Sequence, residues 1–353
     1  MRTLIEDIHS LTRRIGRPVR LMEVCGTHTV AVFRHGIRSI LPEEILLLSG
    51  PGCPVCVTPV EDIDTAVEMA RLPDVILATF GDMMRVPGSG VNLQEARADG
   101  SDIRVVYSPM DALDIAAANP DKRVVFLATG FETTSPSVAA TLCEADRKGV
   151  GNFLVYSNHK LVPPALRTLL GDDRVDVDGF ILPGHVSTII GAQPYEFISA
   201  EHGKPAVITG FEARDILEAI AMLLAQIVKG EPGVEIQYTR AVRPEGNPRA
   251  VALMETCFHP VDVRWRGIGK IAESGLSLRE EFRHRDAPRV FGLAVEGGPE
   301  PAGCSCGDIL KGIKVPTECP LFAASCTPES PVGACMVSSE GSCAAYYRYG
   351  IRR

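Results

Sequence analysis

Short apolar segments alternate with helical patterns from residue 20 to about residue 226, and this alternation limits the folds open to the chain. Most of the segments are apolar throughout, as in parallel strands covered on both faces. This order of strand and helix predicts an α/β fold with right-handed crossovers. The predicted strands are 20–24, 45–48, 75–79, 103–107, 124–128, 153–156, 179–182 and 206–209, and the predicted helices include 59–71, 109–118, 137–148 and 163–170.

Charge and the N-terminus exclude several classes of protein. The 353 residues include 36 basic and 44 acidic side chains, and this acidic excess argues against a general nucleic-acid binder. The first residues carry Glu6 and Asp7 where a signal peptide needs an uninterrupted apolar run. They predict instead an amphipathic helix with Leu4, Ile8 and Leu11 on one face. No apolar run is long enough to span a membrane. We therefore expect a cytoplasmic protein.

Cysteine is the outlier in the composition, with 11 residues, six of which lie in the last fifty. In a reducing cytoplasm such a cluster is more typical of metal binding or redox chemistry than of permanent disulfides. Four thiolates satisfy either an iron–sulfur cluster or a structural zinc. Zinc sites usually contain two close cysteine pairs, and only one close pair is present, which favours a [4Fe–4S] cluster. Spacing alone does not select four ligands from Cys304, Cys306, Cys319, Cys326, Cys335 and Cys343.

Two further cysteine motifs follow predicted strands. Cys53 and Cys56 form a C-x-x-C motif at a strand-to-helix turn, where a dithiol redox site is favoured and half of a metal site is the alternative. Cys25 precedes Gly26, Thr27 and His28 at the end of the first strand. This setting suits a nucleophile beside a base or a soft metal ligand beside an imidazole. Because ligands of open α/β sheets bind at the carboxyl ends of strands, we expect these loops at a common rim.

Other polar motifs are weaker. Glu132, Thr133 and Thr134 follow a predicted strand, where a Thr hydroxyl often only caps a helix. His159 and His185, each taken alone, are interpreted as structural residues. Cys143 and Cys257 have no partners by spacing and are interpreted as ordinary buried thiols. The chain contains no nucleotide-binding glycine motif.

The same patterns predict three domains. Internal similarity between strand–turn segments indicates two Rossmann-like parallel-sheet α/β domains, which we place at residues 1–122 and 123–235. The cysteine-rich remainder has few long apolar runs, so a bound inorganic cofactor is a plausible organiser of its fold. We place this C-terminal iron–sulfur domain at residues 236–353.

With these motifs in view, the sequence resembles the HypD family of hydrogenase maturation proteins. The resemblance extends from residue 25 to the last few residues, and no motif cysteine is missing. It rests on five blocks, which are Cys25-Gly26-Thr27-His28, Gly50-Pro51-Gly52-Cys53-Pro54-Val55-Cys56, Gly130-Phe131-Glu132-Thr133-Thr134, Pro183-Gly184-His185-Val186-Ser187 and the terminal region from Cys319-Pro320-Leu321-Phe322 to Cys343-Ala344-Ala345-Tyr346-Tyr347.

The resemblance implies a function in assembling the Fe(CN)2CO unit of [NiFe]-hydrogenases. Such a protein works with a small HypC-type chaperone, whose N-terminal cysteine shares the iron, and with a HypE-type protein that delivers cyanide. It also carries a [4Fe–4S] cluster in surroundings similar to those of ferredoxin–thioredoxin reductase. The implied role is an assembly scaffold with redox-active thiols rather than a demonstrated turnover enzyme.

Residue roles follow from this resemblance. The assembly chemistry is assigned to Cys25, His28, Cys53, Cys56 and Glu132, with Cys25 as the ligand of the transient Fe(CN)2CO iron, His28 as its neighbour, and Thr27 or His28 as donors to cyanide nitrogens. In the reductase arrangement, one member of a C-x-C pair binds the cluster and the other joins a disulfide. We therefore expect Cys304, Cys319, Cys326 and Cys343 as cluster ligands and Cys306 with Cys335 as the redox pair. The alternative is that Cys306 or Cys335 is a ligand.

This assignment requires the C-terminal region to fold back against the first α/β domain. Two other functions stay open. One is an iron–sulfur-dependent thiol–disulfide oxidoreductase that acts on a protein substrate, which leaves Cys25 and His28 without a role. The other is an enzyme that transfers acyl or carbamoyl groups through a cysteine nucleophile, which leaves the C-terminal cysteines merely structural.

Overall fold

The structure is a computed structural model that describes residues 2–293, 295 and 298–350. Most of its strands are short and buried on both faces, as the apolar segments predict. The strands are β1 Val19–Glu23, β2 Ile45–Ser49, β3 Val75–Thr79, β4 Ile103–Val105, β5 Arg123–Gly130, β6 Phe153–His159, β7 Gly179–Pro183, β8 Ala206–Thr209, β9 Val234–Ile236, β10 Phe258–Trp265 and β11 Gly269–Leu278.

Helices connect nearly all of the parallel strands. The α-helices are α1 Arg2–Ile15, α2 Gly26–Arg34, α3 Pro54–Val57, α4 Val60–Arg71, α5 Leu93–Ala98, α6 Pro109–Ala118, α7 Ser135–Lys148, α8 Val162–Leu170, α9 Gly184–Ile190, α10 Phe197–Ala200, α11 Ala213–Lys229, α12 Pro248–Cys257, α13 Ala287–Phe291, α14 Cys306–Leu310 and α15 Ser342–Ala345. Short 3-10 helices are Ile37–Ser39, Gly81–Arg85, Gln193–Tyr195, Glu280–Arg285, Pro316–Glu318 and Ala334–Met336, and a π-helical turn is Tyr346–Gly350.

Two parallel sheets and one hairpin organise the described residues. Sheet A has the strand order β2-β1-β7-β8-β9, and sheet B has the order β4-β3-β5-β6. The strands β10 and β11 form a separate antiparallel hairpin. The α/β class with parallel sheets is therefore confirmed.

A domain boundary at residue 122 would require the strands before it and the strands after it to form separate sheets, and the strands are not grouped in this way. In sheet A, β1 pairs with β7, so the N-terminal strands join strands that lie more than a hundred residues later. In sheet B, β3 pairs with β5 across the predicted division. Sheet B is thus inserted between the two parts of sheet A. Local patterns do not reveal such pairing, because a parallel strand accepts a partner from any distance along the chain.

The C-terminal region packs against the edges of both sheets where their strands end. The Ser338 hydroxyl donates to Asp82 Oδ2 at 2.8 Å, and the Thr27 hydroxyl donates to Glu340 Oε1 at 2.8 Å. Helix α3 also contacts the 3-10 helix Ala334–Met336. The predicted return of this region to the N-terminal cysteine loops is therefore confirmed. Residues 351–353 of the predicted third domain lie outside the described residues.

Candidate functional site

A cleft of ≈ 540 Å³ lies where the loops that follow the strands of both sheets converge. Cys53 and His185 line it from sheet A, and Asp82 and Thr134 line it from sheet B. Glu340, from the C-terminal region, lines one side of the cleft. Because all of these loops follow the carboxyl ends of parallel strands, the expected common rim is confirmed.

Cys25 is the N-terminal cap of α2, is only 1% exposed, and contacts His185, which lines the cleft. Its Sγ lies 3.9 Å from Nδ1 and 4.0 Å from Nε2 of His185. Burial raises the pKa of the Cys25 thiol to about 12, although the Thr27 hydroxyl opposes the shift. The thiol is therefore protonated at neutral pH, and a metal ion that binds the sulfur would displace its proton.

The two histidines near Cys25 have different surroundings. His28 Nε2 lies 2.9 Å from the carbonyl oxygen of Gly210, and its ring stacks on Phe211 at 4.7 Å. His185 packs against the same phenyl ring at 5.1 Å. Burial lowers the pKa of both imidazoles to about 4, so both are neutral at pH 7. The imidazole that faces the Cys25 sulfur is that of His185. Sequence reasoning interpreted this residue as structural.

These contacts also change the expected donors to a cyanide ligand. Since the Gly210 carbonyl can only accept, Nε2 of neutral His28 carries the proton, and Nδ1 has no proton to donate. The Thr27 hydroxyl already donates to Glu340. Backbone N–H groups and His185 therefore become the better candidates for contact with a ligand on Cys25.

The C-x-x-C turn and the Cys25 loop interlock. Cys53 and Cys56 form a disulfide at the start of α3, and both are buried. The backbone N–H of Gly26 donates to the Gly52 carbonyl at 3.1 Å. A Cβ atom at Gly52 would overlap the backbone of Cys25, so only glycine permits this approach. The sequence predicted a dithiol here, and the structure places the disulfide form beside the candidate iron ligand.

Glu132 is buried at the sheet B side of the site. Its Oε1 accepts from the backbone N–H of Val162 at 2.9 Å, whereas its Oε2 has no partner among the described residues. Burial raises the pKa of this carboxyl to about 7. The hydroxyl of Tyr195 is also buried without a partner among the described residues, and burial raises its pKa, with the charge of Glu132 adding to the shift. Sequence reasoning missed Tyr195, which follows no strand and carries no motif.

The six C-terminal cysteines line one cavity together. Cys306 and Cys335 form a disulfide, and Cys304, Cys319, Cys326 and Cys343 are free thiols. This is the pairing that the resemblance implied, while the redox role of the pair stays a prediction. Burial raises the pKa of Cys304 and of Cys343, and Cys319 and Cys326 add to both shifts. The four free thiols lie around one small cavity.

The donor set of this cavity fits a cluster better than a single ion. Within residues 2–293, 295 and 298–350, no three His, Cys, Asp or Glu side chains meet around a point that would hold one metal ion. A [4Fe–4S] core binds its four thiolates through four separate irons, so its ligands line a cavity instead of converging on one atom. Four free thiols around one cavity meet that requirement.

The remaining two cysteines, Cys143 and Cys257, contact each other in the structure. The Sγ atoms of Cys143 and Cys257 lie 3.8 Å apart, where α7 packs on α12. The expectation that neither has a partner is therefore wrong, because the spacing of 114 residues along the chain hides their contact. They lie in the core that covers sheet B, away from the cleft.

Comparison with known proteins assigns the chain to a family. The HypD family model, described as "Hydrogenase formation hypA family", matches residues 1–350. The chain belongs to the HypD family. It is 46% identical to the hydrogenase maturation factor HypD of Rhodobacter capsulatus, covering 99% of this chain and 95% of that protein. It is 45% identical to the Escherichia coli K12 protein of the same name, covering 98% and 93%.

A third HypD relative, from Azotobacter vinelandii, is 48% identical, covering 96% of this chain and 91% of that protein. The match with the HypD family model includes all five sequence blocks on which the resemblance rests. None of the described helices is long and apolar enough to cross a membrane.

Proposed function

We propose that this hydrogenase maturation factor is the scaffold on which the Fe(CN)2CO unit of [NiFe]-hydrogenases is assembled. The iron would be held by Cys25 and shared with the N-terminal cysteine of a HypC-type chaperone. A HypE-type protein would deliver cyanide at the cleft. The iron and its diatomic ligands are cargo, which leave with the chaperone.

One observation carries this proposal. The Cys25 sulfur is buried next to residues that line the cleft, with the His185 imidazole 3.9 Å away and the Cys53–Cys56 disulfide in the adjoining loop. Low-spin Fe(II) with cyanide and CO ligands accepts thiolate ligands, and a site sealed from water protects such a complex. The dithiol form of Cys53 and Cys56 holds two electrons that become available beside the iron when the disulfide forms.

A [4Fe–4S] cluster bound by Cys304, Cys319, Cys326 and Cys343 would supply electrons one at a time to this region. The Cys306–Cys335 disulfide lines the same cavity. The 3-10 helix that contains Cys335 contacts α3, which contains Cys56. This contact supports a route for electrons from the C-terminal cavity to the cleft.

Infrared spectroscopy of the protein purified with its HypC-type partner tests the proposal. The wild type should give CN and CO stretching bands, because only bound Fe(CN)2CO contributes to that region. Cys25→Ala should lose these bands and keep the brown [4Fe–4S] chromophore. Cys143→Ala is the matched control, because its thiol lies in the sheet B core and should affect neither signal. Bands that survive in Cys25→Ala would show that Cys25 is not an essential ligand.

The alternative is an iron–sulfur-dependent thiol–disulfide oxidoreductase with a protein substrate. The two disulfides in contacting helices favour it, because they resemble a relay that could end on an external disulfide. The same infrared experiment separates the two functions. An oxidoreductase gives no CN or CO bands with any partner, and its activity does not depend on Cys25.

A further inference from the structure

Arg266 is a buried cation with little compensation. Its side chain is 1% exposed, and Nη2 donates to the carbonyl oxygen of Pro87 at 2.6 Å. Nε and Nη1 have no hydrogen-bond partner among the described residues. The nearest carboxylate, on the half-exposed Glu300, lies 3.9 Å from Nε. An ion pair of that length and exposure offsets only part of the cost of burying the guanidinium. A buried guanidinium in this state is costly unless another anion lies nearby.

The backbone places Arg266 between the two disulfides. Its N–H donates to the carbonyl of Val57, which directly follows Cys56, at 2.9 Å. On the other side, Gly267 packs so closely on Gly307 that a Cβ at either position would overlap the other backbone. Gly307 directly follows Cys306. Arg266 therefore bridges the C-x-x-C turn and the wall of the cysteine cavity.

Arg266 lies beside the wall of the cysteine cavity, because Gly267 packs on Gly307 and the preceding residue, Cys306, lines that cavity. Burial lowers the pKa of Arg266, and the carboxylate of Glu300 opposes that shift most, followed by other nearby negative groups. The four free thiols of the cavity become thiolates when they bind a [4Fe–4S] core, and together they leave the complex with a net negative charge. That complex would place further negative charge beside the buried guanidinium.

We propose that Arg266 is a positioning residue that offsets part of the negative charge of the cluster and thereby raises its reduction potential. The inference rests on the proposed function, because it requires a cluster in this cavity. Reduction adds negative charge to the cluster, and a nearby cation stabilises the reduced form more than the oxidised form.

The test measures the midpoint potential of the purified, cluster-loaded protein by optical redox titration. Arg266→Met keeps the long apolar stem and removes the charge. We expect its equilibrium constant for one-electron reduction to fall at least tenfold, which is about 59 mV to more negative potential. Arg266→Lys should restore most of the difference. Glu300→Gln should shift the potential in the opposite direction, because it removes a nearby negative charge.

Arg85→Met is the matched control. Arg85 also donates to carbonyls of the C-terminal region, those of Pro328 and Val337, but its side chain is exposed and does not line the cysteine cavity. Its loss should leave the potential unchanged. A fully loaded Arg266→Met protein with the wild-type potential would overturn the inference. If Arg266→Met fails to hold iron, Glu300→Gln and Arg266→Lys decide. An unchanged potential in Glu300→Gln, or a potential in Arg266→Lys that is far more negative than in the wild type, contradicts the inference.

Failure of the proposed function has a different signature. A wild type that binds no iron–sulfur cluster removes the basis for a role of Arg266. A wild type with a cluster but without CN and CO bands removes the scaffold role, while the potentials still test Arg266. The two results are therefore read from separate spectra of the same samples.

Discussion

The carboxyl group of Glu132 is buried beside the cleft, where one oxygen accepts a hydrogen bond and the other has no partner in the part of the chain that the structure describes. Its pKa rises from 4.5 to about 7 because burial penalises the charged form. The folded state therefore binds a proton that the unfolded state releases between these two pH values. It follows that this group stabilises the fold fully below pH 4.5, and that the contribution is lost as pH rises toward 7.

We predict that Glu132→Gln flattens this part of the pH dependence. Glutamine keeps the acceptor for the Val162 N–H and never ionises. Relative to wild type, the variant should gain stability as pH rises from 4.5 to 8, with a total change on the order of 3 kcal/mol. Urea unfolding of both proteins at several pH values measures the difference. A difference between the two proteins that stays constant with pH would contradict the prediction.

Sequence reasoning located the residues around Cys25 but not their orientations. The Cys25–His28 block and the C-x-x-C turn could be found because each follows a recognisable strand. His185 faces the sulfur only because β7 pairs with β1, which aligns the ends of these two strands. That proximity depends on strand order, which a single sequence does not encode locally. Arg266 and Tyr195 were missed as site residues for the same reason.

At the level of elements, strands with apolar residues on both faces were the easiest to predict. The expected bounds 75–79 and 206–209 agree with β3 and β8, and most other strands differ by one to three residues. The hairpin of β10 and β11 was missed. In β10 partly buried and exposed residues alternate between the buried ends Phe258 and Trp265, as in an antiparallel strand with one face toward solvent, and Pro260 interrupts its sequence. A search for continuous apolar runs overlooks this pattern.

Serine variants of the C-terminal cysteines should distinguish the cluster ligands from the disulfide pair. Ser variants of Cys304, Cys319, Cys326 and Cys343 should lose the cluster, because each removes a thiolate from the cavity. Ser variants of the disulfide pair, Cys306 and Cys335, should retain it. Iron content and absorption near 400 nm (a region roughly typical of thiolate-bound clusters) measure the outcome. Retention in Cys304→Ser with loss in Cys306→Ser would reverse the assignment.

For the whole molecule, the interleaving of the two sheets has consequences for folding. Sheet A combines residues 19–49 with residues 179–236, and sheet B occupies residues 75–159 between them. The apolar segments predicted that the strands form parallel sheets, but they did not predict which strands belong to which sheet. The C-terminal region then contacts both sheets, which is why the site forms only from distant parts of the chain.

We therefore predict that the fragment 1–122 does not fold alone. In that fragment β1 loses β7 and β3 loses β5, so two strands that are buried on both faces become open edges. Helix α1 also loses its contact with α11. Thermal melting followed by circular dichroism should show no cooperative transition for this fragment. Co-expression with the fragment 123–353 supplies the missing strands and serves as the control, since the pair should recover a cooperative transition. If the isolated fragment melts cooperatively, residues 1–122 form an independent domain after all, and the pairing of β1 with β7 contributes little to its stability.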